Sequence, residues 1–280
     1  MVPSNIRSNV RLFADDCVIY RPIHNSSDAT ILQEDLARVE EWCSTWLMSL
    51  NSSKTSLISF HRRRNHRENT YTIINNPISS VDSYKYLGIH LSKDLTWSHH
   101  IHHITNSANQ VLGYLRRNLS LAPPPIKLLA YITFIRPKLD YACAAYDPHY
   151  TNLITTLEAV QNRAARFICS DYSRYTSVTA LKSQLNLPTL ACRRKIARLS
   201  LYHKFYHTSD HETAPITRAH RFSRHSHPNA VYPERARTET YKMSFFLRTA
   251  NDWNDLPSEV AAIINRDLFK TAIEDHLCSY

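Results

Sequence analysis

The nine residues LFADDCVIY, at positions 12–20, decide how the first part of the chain is interpreted. Two adjacent aspartates, Asp15 and Asp16, stand between runs of apolar and β-branched residues, a pattern that predicts two short strands joined by a tight turn. The carboxylates have two interpretations. They belong to an ordinary solvated turn, in which Asp is common, or they bind Mg²⁺, which prefers oxygen ligands. The apolar flanks and the small Ala14 directly before the pair favour the metal.

Composition narrows the class of protein. The 280 residues are 43% hydrophobic, which is enough for a folded core. Lys and Arg number 34 against 24 Asp and Glu, so the net charge is +10, and a polyanion such as nucleic acid is the first expected partner. The two glycines are too few for the Gly-rich loops that hold phosphate in P-loop and dinucleotide-binding proteins.

The cysteines and the apolar segments bear on cellular location. Six cysteines lie far apart and form no CxxC pair, which argues against a zinc ribbon or knuckle and predicts reduced, mostly buried thiols. No apolar run approaches the roughly 20 residues that span a bilayer, and the N-terminal sequence lacks the apolar core of a signal peptide. The sequence therefore predicts an intracellular protein, nuclear or cytoplasmic, without a membrane partner.

Hydrophobic periodicity predicts an α+β fold for the first part of the chain, residues 1–95. The hairpin is followed by a helix that begins near Ser27 or Asp28 and continues to Leu50. Three later segments are expected to be strands: KTSLISF, YTIINN and SYKYLGIHL.

After residue 95 the hydrophobic pattern changes to one that is typical of helices. Residues 96–206 are predicted to be mostly helical, with amphipathic segments at 98–119, 125–145 (interrupted at Pro137), 150–170, 176–186 and 188–206. Residues 207–237, rich in His, Arg, Ser and Pro, are expected to form an exposed, flexible basic loop. Residues 238–280 are expected to be a C-terminal strand and helix segment, with a helix over 258–277. Three tryptophans are expected core anchors: Trp46, Trp97 and Trp253.

Two groups of basic residues are candidates for contact with phosphate, although charge runs are also common on solvated faces. They are Arg62, Arg63, Arg64 and Arg67 in one loop, and Arg193, Arg194, Lys195 and Arg198 on one predicted helix. The run HHIHH at 99–103 places His99 and His103 four residues apart on one helical face. A metal site is disfavoured there because no acidic or Cys partner lies near in the sequence.

Three motifs, in this order, carry a resemblance to a known family. They are FADD at 13–16, LNSSKT at 50–55 after the long helix, and YKYLGIHL at 84–91. Together they resemble the second half of the palm of a non-LTR (LINE-type, jockey-like) retrotransposon reverse transcriptase. Later segments such as YITFIRPKLDYACAAYDP and FFLRTANDWNDLP resemble the thumb and following region of tick and insect elements. The resemblance covers essentially the whole chain.

The resemblance implies a partial palm over 1–95 and a thumb-like region after it. It implies that Asp15 and Asp16 bind Mg²⁺, with Asp15 the direct ligand, and that Lys54 acts as a general acid toward pyrophosphate. It also implies that Tyr86, Leu87 and Gly88 form a primer-grip strand. The alternative for Lys54 is a surface lysine that begins a strand, and the alternative for Tyr86, Leu87 and Gly88 is an ordinary buried strand. The implied partners are an RNA template and a DNA primer, and the parent reaction is template-directed addition of deoxynucleotides.

One departure from the family pattern limits these expectations. The family's third catalytic carboxylate and its fingers lie well before the FADD hairpin, whereas the fourteen residues before Asp15 contain no Asp or Glu. We therefore expect weak or absent Mg²⁺ binding and no catalysis by this chain alone, with an upstream polymerase segment as a further partner. The alternatives are a non-catalytic nucleic-acid-binding protein and a transposon remnant without a selected function.

Overall fold

A computed structural model describes residues 5–61, 69–208, 216–220 and 227–278. The chain divides into two compact units, Met1–Leu95 and Thr96–Tyr280. Both helices and short strands occur, which confirms the α+β class. Among the described residues, no helix is both long enough and apolar enough to cross a membrane.

The first unit contains one long helix and several short strands. The helix is α1 (Ser26–Thr45). The strands are β1 (Asn9–Phe13), β2 (Asp16–Tyr20), β3 (Ser56–Leu57), β4 (Thr72–Ile73), β5 (Asn76–Pro77), β6 (Ser79–Ser80), β7 (Ser83–Tyr86) and β8 (Ile89–Ser92). In the described part of this unit they form four separate pairs: antiparallel β1–β2, β4–β5 and β7–β8, and parallel β3–β6. Two-stranded pairs are marginally stable on their own, so the strands depend on packing against α1 and the loops.

Helix α1 begins at Ser26, slightly before the predicted Ser27 or Asp28, and ends at Thr45, before the predicted Leu50. The side chain of Asn25, not Ser27 or Asp28, caps it by accepting from the backbone N–H of Asp28 at 3.0 Å. After Thr45 the chain turns at Leu47, whose φ of 55° is left-handed and cannot continue a helix. Trp46 is 65% exposed, so its prediction as a core anchor is wrong.

A buried carboxylate on α1 ties down the chain before β1. Asp35 is fully buried and accepts from the backbone N–H of Ser8 at 2.7 Å and of Arg7 at 3.2 Å, with Arg38 as its ion-pair partner. Burial acts to raise the pKa of Asp35, but hydrogen bonds from Ser8, Arg7 and Arg38 outweigh it and hold the pKa below its ordinary value. The entry to the hairpin is therefore fixed on the helix.

Two of the predicted single strands are in fact tight hairpins. YTIINN reverses at Ile74 and Asn75, with φ of 48° and 57°, and SYKYLGIHL reverses at Leu87 and Gly88, with φ of 45° and 82°. Two consecutive residues with positive φ define the turn that matches the twist of a two-residue hairpin. Gly88 and Asn75 are residue types that favour such a φ, whereas Ile74 and Leu87 are not, so half of this turn chemistry is not visible in the sequence.

The second unit is mainly helical. Its helices are α2 (Ser98–Asn118), α3 (Pro124–Ala130), α4 (Arg136–Asp140), α5 (Thr151–Cys169), α6 (Val178–Gln184), α7 (Leu190–His207), α8 (Glu239–Lys242), α9 (Phe245–Asn254), α10 (Ser258–Ala261) and α11 (Arg266–Cys278). One apolar cluster joins α2, α5 and the segment around Tyr131, with Trp97 packed against it. A second cluster joins α7, α9 and α11 around Trp253, which is fully buried, so Trp253 as a core anchor is confirmed.

The break predicted at Pro137 takes the form of a change in helix type. A π-helical turn over Tyr131–Ile135 connects α3 to α4, and Pro137 follows in the first turn of α4. Proline has no N–H and its ring clashes with the carbonyl four residues before it. A wider turn relieves both problems, so the chain continues its helical course. The helix predicted over 258–277 is interrupted between α10 and α11.

Part of the predicted exposed loop, 207–237, is ordered into the second cluster. Strand β9 (Thr217–Arg218) pairs with β10 (Val231–Tyr232), and His227 and Val231 are each 3% exposed. The indole N–H of Trp253 donates to the Asn229 carbonyl at 2.8 Å. The prediction of an exposed loop is therefore wrong for His227, Ala230 and Val231, whereas Pro228 and Tyr232 are exposed as predicted. Hydrogen bonds to Trp253 and Asn254 of α9 hold this short segment against the cluster. Residues 209–215 and 221–226 lie outside the described residues.

The structure joins Cys192 of α7 and Cys278 of α11 in a disulfide, with their Cα atoms 6.9 Å apart. The expectation that the thiols are reduced is wrong for this pair, since 86 positions separate the two in the sequence and only helix packing brings them together. Cys17, Cys43, Cys143 and Cys169 are free thiols, and Cys17 is exposed.

Candidate functional site

The predicted hairpin that carries the two aspartates is confirmed. Phe13 lies opposite Asp16 across the β1–β2 pair, and Ala14 and Asp15 form the turn, with Ala14 at a φ of 51°. Both carboxylates are exposed. Phe13 is 62% exposed, so an apolar ring stands in solvent beside the charged tip. The two carboxylates are therefore displayed at the surface of the first unit and not used in its core.

The donor chemistry of this tip suits Mg²⁺, whereas the number of ligands does not. Two adjacent carboxylates offer the hard oxygen ligands that Mg²⁺ requires. Within the described residues, however, no group of three or more His, Cys, Asp or Glu side chains could hold a metal ion. The described residues therefore supply two hard oxygen ligands at this tip and no third such side chain beside them. The histidines at 99–103 belong to no such group, and His100 is buried against Tyr146 at 4.4 Å between ring centres.

Lys54 lies in a turn that Asn51 organises. Its backbone N–H donates to the carbonyl and the side-chain oxygen of Asn51, both at 3.2 Å, and the Thr55 hydroxyl donates to the same carbonyl at 2.9 Å. The side chain is exposed, and β3 begins two residues later. No ion pair in the described part of the chain joins Lys54 to Asp15 or Asp16. Its role as a general acid stays a prediction.

Tyr86, Leu87 and Gly88 form the tip of the β7–β8 hairpin and not a continuous strand. Tyr86 ends β7 opposite Ile89, and the other two residues make the turn. The prediction of a strand through all three residues is wrong, because two left-handed residues in succession reverse the chain. Gly88 is exposed, and Tyr86 and Leu87 are half-buried. The segment is therefore a two-residue turn at the end of a short hairpin.

The basic group on α7 is engaged inside the second unit. Arg194 and Arg198 are each 2% exposed, and their Nε atoms donate to the two carboxylate oxygens of Asp147 at 2.8 and 2.7 Å. Contact of these two arginines with phosphate, as the sequence suggested, is therefore excluded in this fold by their burial. Arg62, Arg63, Arg64 and Arg67 lie outside the described residues.

The other members of the α7 group also have internal partners. Arg193 binds Asp140 with two nitrogens, the shorter contact being 2.6 Å, and Lys195 contacts Asp252 at 2.9 Å. Their side chains remain about a third exposed, 30% and 34%. The pKa of Asp252 is lowered: burial acts against this, but the charges of Arg198 and Lys195 and their hydrogen bonds prevail. The group is a clamp that joins α7 to the segments containing Asp140, Asp147 and Asp252.

Sequence reasoning missed the acidic half of this clamp. Asp147 also pairs with Arg248 of α9, at 3.1 Å, which brings three arginines to one carboxylate. In the sequence, Asp147 and Asp252 stand out only as members of the two later segments that carry the family resemblance. Isolated aspartates in apolar segments on both sides of the arginine run are the one signal that could have suggested buried ion pairs, since a buried charge needs a partner.

Proteins that match this chain are RNA-directed DNA polymerases encoded by transposable elements, which confirms the resemblance to the non-LTR, jockey-like family. A probable RNA-directed DNA polymerase from transposon X-element of Drosophila melanogaster is 31% identical over 181 residues, or 61% of this chain and 20% of the relative. The probable enzyme from transposon BS of the same species is 28% identical over 64% of this chain. The RNA-directed DNA polymerase from mobile element jockey of Drosophila funebris is 25% identical over 68% of it.

The matched region is a limited part of these relatives. The chain spans about a fifth of the length of the curated relatives it matches. No family model matches the chain. No solved structure matches it either.

Proposed function

We propose that the chain is part of an RNA-directed DNA polymerase of a non-LTR retrotransposon, in which the first unit is palm-like and the second thumb-like. The observation that carries this proposal is the pair of exposed carboxylates, Asp15 and Asp16, at the tip of a tight hairpin. It is supported by the similarity to transposon polymerases. The parent reaction would be template-directed addition of deoxynucleotides to a primer on an RNA template.

In such a polymerase site, the candidate residues of the first unit would have different roles. Asp15 would be the direct ligand of Mg²⁺ and Asp16 its neighbour, together with a carboxylate from outside the described residues. Lys54, exposed on its turn, would donate a proton to the leaving pyrophosphate. The tip formed by Tyr86, Leu87 and Gly88 would hold the primer end.

The shortage of ligands has a consequence for the isolated chain. With two carboxylates and no third one in the described residues, Mg²⁺ would bind weakly, and the chain alone would not extend a primer. The test is a primer-extension assay with purified protein, Mg²⁺, an RNA template and a labelled DNA primer. We expect no incorporation. Incorporation that is abolished by Asp15→Asn would overturn this part of the proposal.

A second candidate function is nucleic-acid binding without catalysis, and the net charge of +10 favours it. A cationic protein of this kind releases counterions when it binds, so its affinity falls steeply with salt. Salt-dependent binding is expected of both candidates. They differ in whether Asp15 matters once a polymerase site is complete.

A further inference from the structure

A cavity in the Thr96–Tyr280 unit has the chemistry of a phosphate-binding pocket. It has a volume of about 600 Å³ and lies where the C-terminal ends of α2 and α5 approach α3. Its polar and aromatic lining consists of three cations, two serine hydroxyls and two aromatic rings: Arg116, Arg117, Lys127, Ser120, Ser170, Phe167 and Tyr172. No acidic side chain is among the described residues that line it.

Lys127 is the innermost cation of this cavity. It is 3% exposed, its Nζ donates to the Ser170 hydroxyl at 2.8 Å, and it lies 5.2 Å from the centre of the Phe167 ring. Neither partner carries a charge, and no carboxylate in the described residues pairs with it. Burial of an ammonium group without a counter-ion is unfavourable, and an anion in the cavity would supply the missing charge.

The rim combines exposed cations with an aromatic surface. Arg116 and Arg117 are exposed in the last turn of α2, and the Arg116 guanidinium lies 5.4 Å from the centre of the Tyr172 ring. Tyr172 is 57% exposed. An exposed ring beside a cationic pocket is the arrangement on which a base stacks while its backbone binds basic side chains.

Helix ends alone do not account for these cations. Each helix C-terminus carries the equivalent of roughly half a negative charge, so α2 and α5 together supply about one against three cations. About two positive charges remain. Asp171, the nearest carboxylate in sequence, accepts from the backbone N–H of Ser173 at 2.9 Å and is not part of the lining. Because water compensates the exposed Arg116 and Arg117, it is the buried charge of Lys127 that points to an anionic ligand.

We propose that this pocket binds one nucleotide of a single-stranded nucleic acid. Lys127 and the Ser170 O–H would bind its phosphate, Tyr172 would stack on its base, and Arg116 and Arg117 would contact adjoining phosphates. The volume falls within the usual range for small-ligand sites, roughly 300–1,000 Å³. A duplex keeps its bases stacked inside and would not place a base and its phosphate in one pocket. The inference rests on the proposed function only in taking nucleic acid as the partner.

The test measures fluorescence anisotropy of a labelled 12-nucleotide RNA, single-stranded and as a duplex, with the 280-residue chain at two salt concentrations. We expect preference for the single strand. Lys127→Met should weaken binding about tenfold through loss of a charge-assisted hydrogen bond, and Tyr172→Ala at least about fivefold through loss of stacking. The matched control is Arg174→Gln, because Arg174 and Tyr175 form a second arginine–tyrosine contact, at 5.2 Å, outside the pocket. It should change the affinity less than twofold.

Four results would overturn the inference. Three concern direct binding: Lys127→Met binds within twofold of the unsubstituted chain, Arg174→Gln loses as much affinity as Lys127→Met, or the duplex binds as tightly as the single strand. The fourth is a competition in which poly-glutamate or a free nucleoside monophosphate displaces the labelled RNA as well as unlabelled single-stranded RNA does. If circular dichroism shows that Lys127→Met does not fold, Tyr172→Ala and Arg116→Gln decide, since both side chains are exposed. A failure here leaves any Asp15-dependent polymerase reaction untouched, and a failure of that reaction leaves this binding untouched.

Discussion

The buried clamp around Asp147 makes the strongest prediction about stability. In Asp147→Asn the carboxylate that receives three arginines becomes neutral. Arg198 keeps Asp252 at 2.7 Å and the Thr249 hydroxyl at 3.0 Å, whereas the hydrogen bond of Arg194, which is 2% exposed, goes to Asp147 itself. Removal of one partner from a buried ion pair costs about 3–5 kcal/mol, because the remaining charge stays buried.

That loss is a large part of the stability of an ordinary domain, about 5–15 kcal/mol. In urea, with a slope of about 2 kcal/mol per molar, the unfolding midpoint of the second unit should fall by about 2 M. The assay follows tryptophan fluorescence in a background with Trp42→Phe and Trp46→Phe. The remaining tryptophans, Trp97 and Trp253, then report on the second unit alone.

The matched control is Asp252→Asn. It leaves Arg198 bonded to Asp147 and affects Lys195, which is a third exposed, so we expect a loss of about 1–2 kcal/mol. A loss below about 1 kcal/mol in Asp147→Asn, or an equal loss in the control, would refute the reasoning. The arginines of α7 would then be available for the phosphate contacts that the sequence suggested.

Two further predictions concern pH and the β7–β8 turn. Burial above all, with nearby Arg266 acting the same way, holds the pKa of His203 below its ordinary value, although its bond to the Ile263 carbonyl opposes this. As pH falls, the unfolded chain therefore binds a proton at His203 before the folded chain does. The melting temperature should fall as pH drops from about 6.5, the ordinary pKa, through the lower pKa of His203 in the folded chain. His203→Gln should flatten this pH dependence, and the control His102→Gln should not. Gly88→Ala should cost the first unit about 1 kcal/mol, since φ is 82°, while Leu87→Asn should stabilise it by a few tenths. Urea unfolding of each variant measures both changes, and an unfolding midpoint that Gly88→Ala leaves unchanged would contradict the turn.

The helices of the second unit could be predicted because their signal is local. In α2 and α5 apolar residues recur at helical spacing, and the structure places both within one or two residues of the predicted bounds. The short hairpins could not be predicted because the first residue of each turn, Ile74 or Leu87, is of a type that rarely adopts a left-handed conformation. Hydrophobic periodicity therefore predicts the helices of this chain, but it does not predict where the short hairpins reverse direction.

The same contrast between local and long-range information holds for the candidate site residues. Asp15 and Asp16 could be placed at a hairpin tip from nine residues. The fate of Arg194 and Arg198 could not be foreseen, because their partner Asp147 is 47 and 51 positions away and reaches them only through helix packing. The pocket around Lys127 depends in the same way on Ser170, which is 43 positions away.

The measurement that bears most directly on Asp15 and Asp16 uses a chimera. The segment of the Drosophila funebris jockey polymerase that matches this chain is replaced by the corresponding residues of this chain, and primer extension on an RNA template is measured. If the hairpin supplies two ligands of a polymerase site, the chimera incorporates deoxynucleotides, and Asp15→Asn lowers the rate at least about a hundredfold. A chimera that extends the primer equally well with Asp15→Asn would contradict the proposal.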